Sequence, residues 1–345
     1  MFTGFLKNVW YVGLPSSELA INKAQARKIL GEPVVFYRDS KGKTSAMRDI
    51  CPHRGIPLSY GRVVNDTLEC PYHGWKFDGN GVCTEIPSLC PDQELNPNKI
   101  KVRSYPVHEA QGLIWVFMGD KDFDVTKVPQ PPVMDFPEGK KPNLTYVVNF
   151  PCHVDHAVIG LMDPAHGPYV HKSWFWRSEK SMIEKKKLFG PVDYGFQMIR
   201  HKPSSNSKAY KLLGGVPTTE ITFTLPCVRV EHIKVGERKF YSYTALTPVD
   251  EKNTRITQLA VWDIPWLTLL KPAVDKFGKV FLGQDMDAVT KQQEGLKYDP
   301  SLMLIKDADT QAKWYYSLKT EYHNAMEEKR AFVNPVKQTE LRWRS

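Results

Sequence analysis

Four side chains in two short segments have the chemistry to hold a metal centre. Cys51-Pro52-His53 and Cys70-Pro71-Tyr72-His73 each offer one thiolate and one imidazole, in arms of the form C-x-H and C-x-x-H with sixteen residues between them. Zinc accepts these donors in a tetrahedral Cys₂His₂ site. In a zinc finger, however, the cysteines pair with each other and so do the histidines, whereas each arm here mixes the two. A 2Fe-2S cluster with two cysteines on one iron and two histidines on the other needs that mixing, and two tight loops that each give one residue to each iron deliver it. Farther along, Asp163-Pro164-Ala165-His166-Gly167-Pro168-Tyr169-Val170-His171 places two histidines at i, i+5. They can share one metal if the chain bends between them, and Gly167-Pro168 makes a bend reasonable. Taken alone, two histidines in an apolar stretch are more often structural than ligands.

The flanks CPHRGIPLSYG and CPYHGWKFDGNG resemble the Rieske domain of ring-hydroxylating oxygenases, in spacing and in context. The respiratory-chain Rieske type carries an extra cysteine in each arm; Ile56 and Tyr72 stand at those positions, so the chain is similar to the low-potential oxygenase type. Cys83 and Cys90 are left without a role. Arg54 and Trp75 sit beside the arms, where a docking partner would approach, with solvent exposure and packing as equal alternatives.

The pattern D-x-x-H-x-x-x-x-H resembles the catalytic domain of the same family. That resemblance implies a mononuclear Fe(II) on His166 and His171, completed by a carboxylate far along the chain as a two-His, one-carboxylate triad. Asp285, in Gln284-Asp285-Met286-Asp287, fits the family's C-terminal pattern best, with Asp287 as the alternative. Asp163 resembles the family's bridging aspartate, which joins an iron histidine to a cluster histidine of the neighbouring subunit; a helix N-cap before Pro164 is the other reading. The bridge implies a head-to-tail ring, commonly a homotrimer. One departure stands out. Many members have Asn or Glu six residues before the first iron histidine, and this chain has Gly160, so a polar group must come from elsewhere, with His156 and Asp155 as candidates and His153 and His156 alternatively capping or packing.

Implied by the resemblance is a terminal oxygenase with one 2Fe-2S Rieske cluster and one mononuclear non-haem Fe(II). Electrons would come from an NAD(P)H-dependent reductase, with or without a ferredoxin. The chain is most similar to the vanillate and dicamba O-demethylase branch, which implies hydroxylation or oxidative demethylation of an aromatic or polycyclic apolar small molecule. Leu161, Met162, Trp174, Phe175 and Trp176 are pocket candidates, and Arg177 could pair with a substrate carboxylate. Two other classes remain open: an electron carrier with an enlarged partner-binding domain, and a zinc-stabilised interaction module.

These residues need a scaffold. The chain of 345 residues, 41% hydrophobic, has the composition of a core-forming protein. It shows neither a membrane-length apolar run nor a signal-peptide order, so a cytoplasmic protein is expected. A net charge of +9 spread among acidic residues does not point to nucleic acid, and the run Lys185-Lys186-Lys187 reads as a solvated loop. Six irregularly spaced cysteines make no disulfide framework. Short β-prone runs such as WYVGL, PVVFYR and GLIWVFMG predict an all-β cluster domain over residues 1–120. Residues 121–145 are Pro-rich and read as a linker, leaving 146–345 as an iron-binding domain. Strand-like runs over 196–262 predict a large antiparallel sheet, and helical patterns over 272–294 and 308–332 flank it, giving an α+β fold.

Overall fold

The computed structural model describes residues 2–136, 139–171, 179–205, 213 and 215–345. The chain divides into two compact units, Lys7–Lys140 and Met1–Leu6 with Lys141–Ser345.

The first unit is all-β. Its strands are β1 (Val9–Pro15), β2 (Ala24–Ile29), β3 (Glu32–Arg38), β4 (Thr44–Arg48), β5 (Arg62–Val64), β6 (Thr67–Glu69), β7 (Lys76–Phe77), β8 (Cys83–Glu85), β9 (Ser104–Tyr105), β10 (Val107–Ala110) and β11 (Leu113–Met118). They form three antiparallel sheets, in the orders β1-β11-β10, β2-β3-β4-β9 and β5-β6-β7-β8. Strands β1 and β11 are buried along their whole length, which is why their sequences read as continuous apolar runs rather than as alternation. A core of Val35, Met47, Leu58, Leu68 and Phe77 encloses the two thiols Cys51 and Cys70.

The second unit is built on one eight-stranded antiparallel sheet. Its strands are β12 (Leu144–Phe150), β13 (Glu184–Val192), β14 (Gly195–His201), β15 (Pro217–Thr224), β16 (Val228–Val235), β17 (Arg238–Asp250), β18 (Asn253–Trp262) and β19 (Thr339–Arg344), in the order β12-β18-β17-β16-β15-β14-β13-β19. Its helices are α1 (Val154–Met162), α2 (Gly167–Val170), α3 (Pro265–Leu269), α4 (Lys271–Leu296) and α5 (Thr310–Glu327). The expected α+β architecture is therefore present.

Several local expectations are corrected. Residues 2–6 leave the first unit: the Phe2 amide donates to Thr320 Oγ1, Lys319 Nζ donates to the Thr3 carbonyl, and Phe5 stacks on His153. Three strands of the sheet, β12, β13 and β19, lie outside the run read from sequence. Helix α5 ends at Glu327, and the chain then returns as β19, paired with β13. Lys185-Lys186-Lys187 is strand and not loop. In β13 the alternation of faces buries Lys185, whose Nζ donates to Ser345 Oγ at 2.8 Å, while Lys186 points outward to Glu340.

Candidate active site

The two arms of the first unit are the same loop built twice. The Cys51 amide donates to the Ile56 carbonyl and the Gly55 amide to the Cys51 carbonyl; the Cys70 amide donates to the Trp75 carbonyl and the Gly74 amide to the Cys70 carbonyl. Each loop turns back at the glycine four residues after its cysteine, with φ of +75° at Gly55 and +70° at Gly74, a region that a side chain would strain. Both cysteines are buried, with their thiols close enough to interact. Burial pushes the Cys51 thiol up to about 11. The His53 and His73 rings stand 4.6 Å apart; His53 lies flat on Trp75 and His73 on Tyr72. His73 Nδ1 is buried without a hydrogen-bond partner among the described residues, an orphaned ring nitrogen beside the two arms. Two thiols, two imidazoles and an unsatisfied ring nitrogen fit a mixed-ligand cluster. Cys83 packs in the core and Cys90 is exposed, both as free thiols, so neither supplies a bracing disulfide.

In the second unit α1 ends at Asp163, because Pro164 cannot continue the helix. The chain turns on Asp163 Oδ1, which accepts from the Ala165 amide at 2.7 Å, and restarts as the single turn α2. This break brings the two histidines together: His166 Nε2 and His171 Nε2 are 3.1 Å apart. Asp285 Oδ1, from α4, lies 3.1 Å from His171 Nε2 and 3.7 Å from His166 Nε2. Donors on one face of an ion with bonds of about 2.1 Å stand about 3 Å apart, so this trio fits a single metal ion. Asp287 points away from it, exposed and paired with Lys291 at 2.6 Å.

Each histidine is oriented through its other nitrogen. His166 Nδ1 is 2.9 Å from the Asp163 carbonyl, and His171 Nδ1 is 3.1 Å from Gln284 Oε1. Both acceptors place the proton on Nδ1 and leave the Nε2 lone pairs facing each other and Asp285. The Phe281 ring stacks on His171 with centroids 3.5 Å apart. Burial works against a charged His166, but Asp163 and Asp285 outweigh it and hold its pKa above the usual imidazole value. That raised affinity for a positive charge suits a cation site.

The trio opens on a cavity of about 730 Å³ between the sheet and the helices. Its walls near the trio are apolar, with Phe277, Phe281, Leu282 and Val289 from α4 and Ile159 and Met162 from α1.

Comparison with known proteins agrees with this geometry. Residues 9–106 match the Rieske [2Fe-2S] domain, and residues 151–315 match the vanillate O-demethylase oxygenase C-terminal domain. The 4beta-methylsterol monooxygenase of Methylococcus capsulatus is 39% identical across 88% of this chain and 85% of its own length. The chain belongs to the Rieske non-haem iron oxygenases. The chloroplastic chlorophyllide a oxygenase of Chlamydomonas reinhardtii is 31% identical over 84% of this chain but only 44% of its own length. Indeed the chain spans about half the length, or less, of several curated relatives that it matches. In fold it is similar to dicamba monooxygenase bound to dicamba, with a TM-score of 0.73, 24% identity, and coverage of 95% of this chain and all of that one. Family membership brings the two cofactors, a 2Fe-2S Rieske cluster and a mononuclear non-haem iron, and this Rieske oxygenase has donor sets of the right chemistry for both.

The remaining pocket residues sort by geometry. Gly160, Leu161, Met162 and His156 all line the cavity. A side chain at Gly160 would meet open space, so the departure from the family's Asn or Glu widens the cavity. His156 has a pKa lowered by burial and then by His153, which keeps it neutral at neutral pH. Asp155 is not near the trio: it is buried, and Oδ1 accepts from Tyr315 and Lys319 at 2.6 Å each. His153 caps α1, its Nδ1 accepting from the Asp155 amide. Asp163 closes α1 and is not the N-cap of a helix; its carboxylate is half-buried, with Oδ2 3.7 Å from His166 Nδ1. Trp174, Phe175, Trp176 and Arg177 lie outside the described residues.

Sequence reading passed over Gln284 as a functional side chain, although it stands beside Asp285. The Gln284→Leu variant of this Rieske oxygenase keeps its helix but leaves His171 Nδ1 without an acceptor. Mononuclear iron affinity is expected to fall about 10- to 100-fold, as outer-sphere losses do. Iron retention against a graded chelator checks this, and unchanged retention would sink the role of Gln284.

Proposed function

We propose that this chain is the terminal oxygenase of a multicomponent system, using reductase-supplied electrons and O₂ to hydroxylate or oxidatively demethylate an apolar aromatic or polycyclic small molecule. The observation that carries the reading is the convergence of His166, His171 and Asp285 on an apolar cavity of about 730 Å³. That volume lies within the range of about 300–1,000 Å³ that encloses a drug-sized molecule, which favours several rings over one. The 39% identity to a sterol monooxygenase supports the same preference.

In this reading Cys51, His53, Cys70 and His73 hold the cluster, and His166, His171 and Asp285 hold the iron. When bound, the iron supplies the reductive activation of dioxygen and the cluster supplies the electrons for it. The chain does the rest. The Asp163 carbonyl and the Gln284 amide oxygen keep the Nδ1 protons of the two histidines in place, so that neither ring can rotate its lone pair away. Phe281 and Leu282 exclude water beside the trio and hold an apolar substrate against it. Neutral His156 supplies a hydrogen-bonding group at the cavity wall.

Electron delivery follows from exposure. His53, Arg54 and Tyr72 are exposed at the tip of the arms, where a reductase or ferredoxin can dock, and the net charge of +9 suits an acidic partner. The half-exposed carboxylate of Asp163, already beside His166, suits a bridge to a neighbouring subunit's cluster in a homotrimer of a cytoplasmic enzyme. Sedimentation equilibrium tests the trimer.

The cheapest decisive measurement is metal content. The oxygenase reading expects a red-brown protein with about three irons and two acid-labile sulfides per chain. Two irons would leave an electron carrier, and zinc in place of iron would remove both redox readings.

A further inference from the structure

The cavity floor contradicts the rest of its walls. Side chains on one face of adjacent strands line up in rows, and two neighbouring rows of the sheet face the cavity. One runs Leu144, Ala260, Ser242, Glu231, Ile221, Met198 across β12, β18, β17, β16, β15 and β14. It is apolar at both ends and polar in the middle. Beside it, Gln258, Thr244 and Arg229 occupy β18, β17 and β16 in the next row. Arg229 and Glu231 therefore both sit on β16, in the middle of the sheet, partly buried at 18% and 15% side-chain exposure, and 3.6 Å apart. Thr219 Oγ1 lies 3.4 Å from Glu231 Oε1.

Stability does not account for this placement. A partly buried ion pair is often no better than apolar packing, and here Ile221 and Phe223, the cross-strand partners of Glu231 and Arg229 on β15, would have packed against apolar side chains. Polar groups held where packing favours apolar ones mark a site of use. The pair is also neutral as a unit. A guanidinium offers donors and a carboxylate offers acceptors, which together satisfy a hydroxyl in both of its roles without adding charge. An anionic ligand would instead meet the Glu231 carboxylate here, since Lys185 and Lys187, which also line the cavity, stand three strands away on β13.

Position adds a length. Helix α4, which carries Asp285, packs its Leu282 with Leu144 and Tyr146 on β12. Glu231 is three strands from β12, about 14 Å along the sheet at about 4.8 Å per strand. That is the span of a fused multi-ring skeleton, beyond the reach of a single ring.

We propose that Arg229 and Glu231, with Thr219, form a subsite for the hydroxyl of a neutral multi-ring alcohol whose other end lies against the His166, His171 and Asp285 trio. This rests on the oxygenase reading and names its substrate class. The test measures binding, not turnover: cholestanol, its deoxy counterpart cholestane and cholestanol sulfate are each partitioned from cyclodextrin onto the metal-loaded protein and quantified by mass. Cholestanol is expected to bind about 10- to 100-fold tighter than cholestane, the worth of a hydrogen bond to a charged group. In Glu231→Gln and Arg229→Gln that preference should shrink toward unity while cholestane binding stays unchanged. Circular dichroism melting confirms that each variant is folded, and the comparison of ligands on the unmodified protein stands if either is not. Equal binding of cholestanol and cholestane, tighter binding of the sulfate, or no binding of any of the three overturns the subsite. Iron and sulfide content of the same preparation separates the two levels: failed binding at full metal content counts against this inference alone, and missing iron counts against the oxygenase reading.

Discussion

Replacing His166 with alanine should strip the mononuclear iron and end oxygen insertion while leaving the Rieske cluster intact. His166 Nε2 is one of three donors around a single point, and the other two, His171 Nε2 and Asp285 Oδ1, are 3.1 Å apart and remain. Two donors hold an ion far more weakly than three. Removing only an outer-sphere partner costs about 10- to 100-fold in affinity, so loss of an inner donor should exceed about 100-fold. The cluster loops belong to the other compact unit and have their own hydrogen bonds, so their visible absorption and paramagnetic signal should persist. Iron should fall by about one per chain with sulfide unchanged. Asp285→Ala should behave the same way. Asp287→Ala, which removes only an exposed pair with Lys291, should not. Loss of the cluster signal with the mononuclear iron retained would reverse both assignments.

Why the chemistry was legible, and the cavity floor was not, has a physical cause. Ligand loops announce themselves because donor type, spacing and turn residues must all occur within a few positions; Cys51 to Gly55 and Cys70 to Gly74 carry everything their loops need. His166 and His171 are equally local, since Pro164 and Gly167-Pro168 build the bend that joins them. Asp285 is distant, and only the family pattern separated it from Asp287; the structure separates them by helix face, Asp285 lying one turn from Phe281 and Leu282. Strand β16 defeats such reading. VRVEHIKV puts Arg229 and Glu231 on one face and His232 on the other, so neither face is plainly apolar and the alternation does not say which is inside. Lys185 misled for the same reason. A lysine triplet suggests solvent, yet in an antiparallel sheet its outer members share a face, and Lys187 lines the cavity with Lys185. Asp155 misled differently: neighbours on a helix are turned about 100° from each other, so Asp155 faces Tyr315 and Lys319 on α5 while His156 faces the cavity.

The contact of Asp155 with α5 sets up the second large effect. Asp155, 3% exposed, accepts from Lys319 Nζ and from the Tyr315 hydroxyl, both on α5 and both at 2.6 Å. Lys319, 1% exposed, also donates to the Thr3 carbonyl, and its ammonium lies 5.7 Å over the Phe2 ring. One buried cation thus joins the chain's first residues, α5 and the first turn of α1. The far end of α1 carries Asp163, and the next turn carries His166. Lys319→Met keeps the length of the side chain but leaves a buried carboxylate with one hydroxyl donor. Breaking a buried pair from one side costs about 3–5 kcal/mol, against almost nothing for an exposed pair. For a unit of this size that is a fall of about 10 °C in melting temperature. Adding Asp155→Asn should restore a good part of the loss, because the uncompensated charge, and not the missing contact, is what the single variant pays for. A double variant no better than the single one would mean that packing of α1 on α5 carries the effect. Iron release should track melting in every variant, since the helix that the pair anchors ends at the turn that presents His166.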